Sequence, residues 1–307
     1  MNPDSIKQQP ALALPSRPDV GAVIALLKPV TWFPPMWAFA CGAVSAWGSG
    51  GGSWQLVAAG ALLAGPLVCG ASQAVNDWFD RDVDAINEPG RPIPSGRVPN
   101  RWGLRIAIAW TLLSLLFASV LGLWIFLAAV FGLVLAWAYS APPARLKLNG
   151  WWGNGAVALC YEGLPWFTGA ALIAGGLPDG RIITLAVLYS VGAHGIMTLN
   201  DFKAIEGDTR MGVRSLPVQL GAAAAAKLAC LVMLLPQCAV VALLVAWGNP
   251  LHAGIVGALV LAQCLCMARL LTNPRRFAPW YNATGVSLYV LGMMTSAFAM
   301  QLAAVWP

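Results

Sequence analysis

The stretch "WQLVAAGALLAGPLVCGASQAVNDWFDRDVDAINEPGRPIPSG", Trp54 to Gly96, joins two chemistries without a linker. As far as Val75 it is long and apolar enough to span a bilayer, which takes about 20 residues of helix. From Asn76 to Gly96 it then packs five carboxylates, two arginines and three prolines into twenty-one residues. Elsewhere the chain is nearly free of charge. Only 10% of its 307 residues are Asp, Glu, Lys or Arg, 59% are hydrophobic, and the mean hydropathy is +0.70. A soluble domain carries roughly 25% charge.

Segments like the one before Asn76 recur at about 29–48, 54–75, 103–121, 123–140, 153–175, 182–200, 222–247, 251–271 and 284–305. Alternation of the membrane-barrel kind is absent. The expectation is an all-α, polytopic membrane bundle of about nine helices around a central cavity that opens near the cytoplasmic side. Residues 1–20 form a short polar tail that lacks the features of a cleaved signal peptide. Residues 21–307 form a single transmembrane domain.

The basic residues orient the bundle. Arg81, Arg91, Arg97, Arg101 and Arg105 follow the second segment, Arg145 and Lys147 the fourth, Lys203, Arg210, Arg214 and Lys227 the sixth, and Arg269, Arg275 and Arg276 the eighth. With Lys7, Arg17 and Lys28 they fall on one side of a nine-helix arrangement, and Arg181 falls on the other. The positive-inside rule makes the crowded side cytoplasmic, with the N-terminus inside and the C-terminus outside. The net charge of +6 thus reflects topology, and no nucleic acid is needed to explain it. All seven cysteines lie in apolar segments with no CxxC pair, and read as packing residues.

A second loop echoes the first, a weak internal repeat in which helices 2–3 are echoed by helices 6–7. "NDWFDRDVD" (Asn76–Asp84) and "NDFKAIEGD" (Asn200–Asp208) both begin Asn-Asp-aromatic, and both place carboxylates one, six and eight positions after the Asn. If the second helix continues through its motif, Asp77, Asp80 and Asp84 line one face, as Asp201 and Asp208 do on the other element. Two opposed carboxylate faces repel unless a cation lies between them. All-oxygen ligands suit Mg²⁺, which takes a few carboxylates plus phosphate oxygens and water. The bland alternative is that these acids merely solvate two loops, and it holds for Asp82 and Glu88. In the third segment, "YSAPPARLK" (Tyr139–Lys147), Arg145 and Lys147 can join Arg91 and Lys203 in holding the outer oxygens of a diphosphate, or serve only as positive-inside anchors.

These motifs resemble the membrane prenyltransferase superfamily (UbiA type) that includes the quinone- and haem-prenylating enzymes. "NDWFDRDVDAINEPGRPIPSG" and "GAHGIMTLNDFKAIEGDTRMGVRSLPVQLG" (Gly192–Gly221) are similar to its chlorophyll and bacteriochlorophyll synthase branch, and "CYEGLPWFTGA" is nearer the bacteriochlorophyll type. The resemblance implies a Mg²⁺-dependent transfer of geranylgeranyl or phytyl from its diphosphate to the propionate of a magnesium tetrapyrrole, within (bacterio)chlorophyll biosynthesis. It implies catalytic roles for Asn76, Asp80, Asp84, Asp201 and Asp208. Metal binding would fall to Asp77, Asp80, Asp84, Asp201 and Asp208, and diphosphate binding to Arg91, Arg145, Lys147 and Lys203. Tyr139, Glu162, His194 and Asn200 are the candidates for the tetrapyrrole. The family's second motif usually carries a carboxylate where this chain has Ala204, which puts a second metal ion in doubt.

Glu162, about 10 Å into the fifth helix by helical rise, is costly inside a membrane and is functional by default. It can orient the tetrapyrrole or pair with Arg145. His194 can ligate the tetrapyrrole magnesium, hydrogen-bond a substrate carbonyl, or simply pack. The setting implied is a bacterial inner or intracytoplasmic photosynthetic membrane, with other pigment-biosynthesis or light-harvesting proteins as possible partners. Quinone-precursor and haem prenylation are the alternatives within the enzyme class. Transport or a scaffold role in pigment assembly lies outside it, and transporters place their sites near the bilayer midplane, not at helix ends.

Overall fold

A computed structural model describes residues 16–49 and 51–305, and among these the secondary structure is helical with no strand. The membrane-crossing elements are α1 (Val20–Thr31 and Phe33–Ser45, bent by 57°), α2 (Trp54–Asn87), α3 (Trp102–Leu121), α4 (Leu123–Ser140), α5 (Gly150–Ala174), α6 (Gly180–Lys203), α7 (Ala222–Ala246), α8 (Pro250–Thr272) and α9 (Pro274–Gln301). Counting the bent pair as one span gives nine, as the apolar pattern predicts.

Three boundaries differ from those expected, each for a local reason. The first span begins at Val20, where Asp19 accepts the Ala22 amide at 2.7 Å as an N-cap. Its two limbs meet at Trp32, one short turn after Lys28 adopts a left-handed conformation (φ 48°) ahead of Pro29. Pro34 and Pro35 then open its second limb, where a missing N–H costs nothing. The second span does not stop at residue 75. It runs 34 residues, about 50 Å at helical rise, so its last turns project beyond a hydrocarbon core of about 30 Å. The ninth starts at Pro274 rather than 284, because Arg275 and Arg276 occupy its first turn and mask the helix in a hydropathy reading.

Most of the core is one contiguous apolar cluster, tightened by close backbone approach and by paired polar groups. Where α1 meets α5, a Cβ on Gly42 would lie 1.9 Å from the Trp166 carbonyl oxygen, and one on Gly169 would lie 2.1 Å from that of Phe39. Only glycine lets those helices touch there. Trp166 stacks on Tyr189 at 5.5 Å, Tyr189 shares a 2.8 Å hydrogen bond with Ser296, and the Tyr289 hydroxyl donates to the Tyr189 carbonyl at 2.6 Å. Gln237 on α7 and Gln263 on α8 exchange amide hydrogen bonds at 3.2 and 2.8 Å, both side chains fully buried. Leu116, Val120, Leu261 and Leu265 face outward, as a lipid solvent permits.

At one end of the bundle the loops before α2 and before α6 line a pocket together with the exposed Arg181. At the other end, the loop after α4 is stitched to the loop after α6. Gly150 donates to the Arg214 carbonyl at 2.8 Å, and Arg214 donates back to Leu148 at 2.9 Å. Two short helices, Ile205–Met211 and Leu216–Leu220, lie across this end. That stitch brings the Arg145–Lys147 loop against the one that carries Asp208.

Candidate active site

The projecting end of α2 carries its motif as continuous helix, so Asn76, Asp80, Val83 and Asp84 recur at three- and four-residue steps on one face. That face borders a cavity of about 810 Å³. Opposite stand Asn200, Asp201 and Lys203 at the end of α6, with Asp208 in the short helix beyond. Both motifs therefore line one cavity, and Tyr139, Arg145 and Lys147 from the third segment line it with them.

On the α2 side its carboxylates are held by cations already. Lys147 donates to Asp80 Oδ1 in a close ion pair, and Asn76 donates to Asp80 Oδ2 at 2.9 Å. Arg91 reaches back from the loop after α2 and bridges three acids, with Nη1 at 2.8 Å from Asp84 and 3.4 Å from Asp77, and Nε at 2.5 Å from Glu88. Burial opposes the Arg91 charge, but the Glu88 hydrogen bond and the Asp77 and Asp84 carboxylates hold its pKa above the ordinary arginine value. Glu88 is shifted below the usual carboxylate range by its hydrogen bond to Arg91. Burial pushes Asp208 upward.

The structure moves two sequence candidates away from the cavity. Asp77 does not border it. Its place seven residues before Asp84 puts it within about 20° of that residue's direction, so its ion-pair partners, and not its angle, take it out of the cavity. Its carboxylate is 1% exposed and engages Lys28 at 2.6 Å together with Arg91. His194 also lies elsewhere, because six residues before Asn200 is about 120° off that residue's face. Its Nε2 faces the Trp151 carbonyl at 3.3 Å, and its ring lies 6.0 Å from the Trp151 indole.

Glu162 occupies a wide helical turn, Leu159–Gly163, and borders a separate chamber of about 470 Å³ between α1, α5, α6 and α9. Among the described residues no Lys or Arg lines that chamber and Oε2 of Glu162 has no partner, so the pairing with Arg145 does not form. Asn200 borders both spaces. Its Oδ1 accepts from Asn282 at 2.7 Å.

Sequence reasoning passed over Asn154, Lys28 and Asn282. Asn154, 8% exposed on α5, donates to Asp201 Oδ2 at 3.0 Å and fixes that carboxylate. An Asn in an apolar run is a signal that was available. Lys28 gave no signal, since its link to Asp77 spans 49 residues of sequence.

The oxygen-only donor set fits a hard divalent cation better than zinc or copper. Among the described residues no three acidic, histidine or cysteine side chains converge as a closed ligand set. Mg²⁺ does not require one, because it keeps water and substrate phosphate among its ligands. The positions that Lys147 and Arg91 now take, on Asp80 and Asp84, are places where positive charge is stabilised.

Residues 35–291 match the model of the UbiA prenyltransferase family. The chain is 60% identical to the bacteriochlorophyll synthase 33 kDa chain of Cereibacter sphaeroides, covering 95% of this chain and 97% of that one. It is 39% identical to the chloroplastic chlorophyll synthase of Arabidopsis thaliana, covering 91% and 74%. Among solved structures, a UbiA homolog from Archaeoglobus fulgidus bound to GPP and Mg²⁺ superposes with a TM-score of 0.70 at 21% identity, covering 89% of this chain and 99% of that one.

Proposed function

The chain belongs to the UbiA prenyltransferase family, and from that premise we infer that it esterifies the propionate of a (bacterio)chlorophyllide with a prenyl group from its diphosphate. The observation that carries this reading is the whole-length identity of 60% to a bacteriochlorophyll synthase chain, combined with one cavity shared by both acidic motifs and four cations. The protein crosses the membrane many times. The basic loops lie on the cytoplasmic side of a bacterial inner membrane, the N-terminus with them and the C-terminus in the periplasm.

Arg91, Arg145, Lys147 and Lys203 bind the diphosphate. Asp80, Asp84, Asp201 and Asp208 would hold Mg²⁺, with Asn154 fixing Asp201 and Asn76 fixing Asp80. When bound, Mg²⁺ supplies charge that stabilises the departing diphosphate. Lys147 and Arg91 reach both their carboxylates and the cavity, so a rotamer change carries each from a carboxylate to a phosphate oxygen. Their positive charge then builds up where negative charge develops as the prenyl C–O bond breaks. The diphosphate leaves with the bonding electron pair, and a propionate oxygen forms the new bond to the same prenyl carbon. That carboxylate is already ionised at neutral pH, so no side chain has to remove a proton from it. The apolar walls below Asn76 and Tyr139 keep water from the prenyl cation.

Tyr139, Glu162 and Asn200 remain the candidates that face the acceptor. His194, turned to Trp151, acts there only if α6 rearranges. The test supplies purified protein with geranylgeranyl diphosphate, Mg²⁺ and, in turn, bacteriochlorophyllide, chlorophyllide, a quinone precursor and haem, and follows products by chromatography. Esterified pigment supports the reading. Transfer only to the quinone precursor or to haem would overturn it.

A further inference from the structure

Glu162 has no part in handling the diphosphate, yet it is an acidic side chain held inside the membrane. It is 5% exposed, sits in the wide turn Leu159–Gly163, and faces the chamber of about 470 Å³ between α1, α5, α6 and α9. Wide turns of this kind add a residue to an α-helix and recur at functional sites. An acidic group with no partner is costly in a bilayer, so whatever fills the chamber has to offset that cost.

The rest of the lining narrows the chemistry of that occupant. Phe33 and Trp37 lie 5.8 Å apart on α1, and valines from α5 and α9 complete apolar walls. The polar groups between them are engaged. The Trp37 indole donates to the Val290 carbonyl at 3.1 Å, Thr31 to that of Lys28 at 2.8 Å, and Ser287 to that of Ala283 at 3.2 Å. Among the described residues, the buried lining atoms left without a partner are Glu162 Oε2 and Asn282 Oδ1. Both are oxygens, so the occupant has to present a donor or a cation to them. A magnesium tetrapyrrole has no N–H, because all four ring nitrogens bind the metal, and the carbonyls on its rim only accept. Its electropositive centre is the magnesium, a hard ion that takes oxygen ligands and has an open position above the ring plane.

Reach agrees with this chemistry. Asn154, which fixes Asp201 at the diphosphate cavity, precedes Glu162 by eight residues of α5, about 12 Å at helical rise. From the central metal across one pyrrole ring to a propionate oxygen is about seven bonds, roughly 9 Å when extended. A metal seated at Glu162 therefore delivers the propionate to Asn200, which borders both spaces. We propose that Glu162 is the axial ligand of the acceptor's central magnesium and seats the macrocycle in this chamber, a role that His194, turned to Trp151, does not fill. The proposal rests on the reading above that the acceptor is a magnesium tetrapyrrole.

Pigment binding to the full-length protein in detergent tests it without turnover. Bacteriochlorophyllide and its metal-free form are titrated separately, with no prenyl donor and with a chelator that removes free Mg²⁺ but not the metal of the ring. One charge-assisted contact is worth roughly 10–100-fold. The unaltered protein should therefore bind the magnesium form at least about tenfold more tightly, with the absorption shift of an added axial ligand. Glu162→Leu should erase both the ratio and the shift, and Glu162→His, which supplies another ligating atom, should restore them. Glu162→Leu should also unfold at no lower a temperature, since it removes an unpartnered polar group from the interior. Glu162→Gln serves if the leucine variant does not fold, and its weaker amide oxygen should lower the ratio. Val286→Phe, which fills the chamber, should weaken both pigments alike. Equal weakening of both by Glu162→Leu, reversed by Glu162→Gln, would overturn ligation in favour of a hydrogen bond to a rim carbonyl. Binding untouched by Val286→Phe would overturn the choice of chamber. If the unaltered protein binds neither pigment, the tetrapyrrole reading fails and the proposal with it. If it binds both and Glu162→Leu leaves their ratio alone, the role of Glu162 alone is wrong.

Discussion

Replacing Asp80 by Asn keeps the side chain's shape and its contact with Asn76 but removes the charge that Lys147 now neutralises. The two side chains are only 21% and 12% exposed, so an effective dielectric near 20 applies and a unit charge about 4 Å away is worth roughly 4 kcal/mol. A loss of about that size in transition-state stabilisation is roughly a thousandfold in rate, which agrees with the roughly 10²–10³ found on removing one preorganised electrostatic contact elsewhere. Asp80→Asn should thus fall about 10²–10³-fold in kcat while the protein still inserts and retains the tetrapyrrole. Asp82, 85% exposed and 3.7 Å from Arg81, is the internal control, and Asp82→Ala should keep most activity. Both variants are assayed across a Mg²⁺ titration, following esterified pigment. Equal turnover for Asp80→Asn and the unaltered protein, or turnover that ignores Mg²⁺, would refute the role given to this face.

Asn154→Ala frees Asp201 from its only side-chain donor among the described residues and should raise the Mg²⁺ concentration for half-maximal activity about 10–100-fold, as loss of a ligand-orienting contact does; an unchanged Mg²⁺ curve would count against Asp201 as a ligand. Gly42→Val forces a side chain into the Trp166 carbonyl and should lower the unfolding temperature in detergent by the equivalent of at least about 1–3 kcal/mol. An unchanged unfolding temperature would mean that α1 and α5 are not in contact. A reporter fused after Pro307 should behave as periplasmic, and one that reports the cytoplasm would reverse the orientation read from the basic loops.

The bundle was legible because a membrane demands long apolar helices and basic loops, and both are visible in composition. The boundaries that failed were those where helix and membrane part company. In α2 the helix outruns the bilayer through Asn87, and in α9 two arginines open the first turn. At the site, repeat spacing was enough to bring Asp80, Asp84, Asp201 and Asp208 to one cavity with Arg91, Arg145, Lys147 and Lys203. The same spacing misplaced Asp77. A three-residue step to Asp80 looks like a shared face until Lys28, 49 residues earlier, supplies a competing partner. Nor does nearness to Asn200 in sequence contain the fact that His194 faces Trp151. Contacts between distant segments decide such cases, and periodicity does not contain them.

The most direct measurement follows heavy oxygen placed in the propionate of the acceptor. Bond breaking at the prenyl carbon, promoted by the cations and acids of the shared cavity, leaves both propionate oxygens in the ester, so all label should be found in the esterified pigment and none in the released diphosphate. Label in the diphosphate would mean that a propionate oxygen had been activated and expelled, and would contradict alkyl transfer at this site.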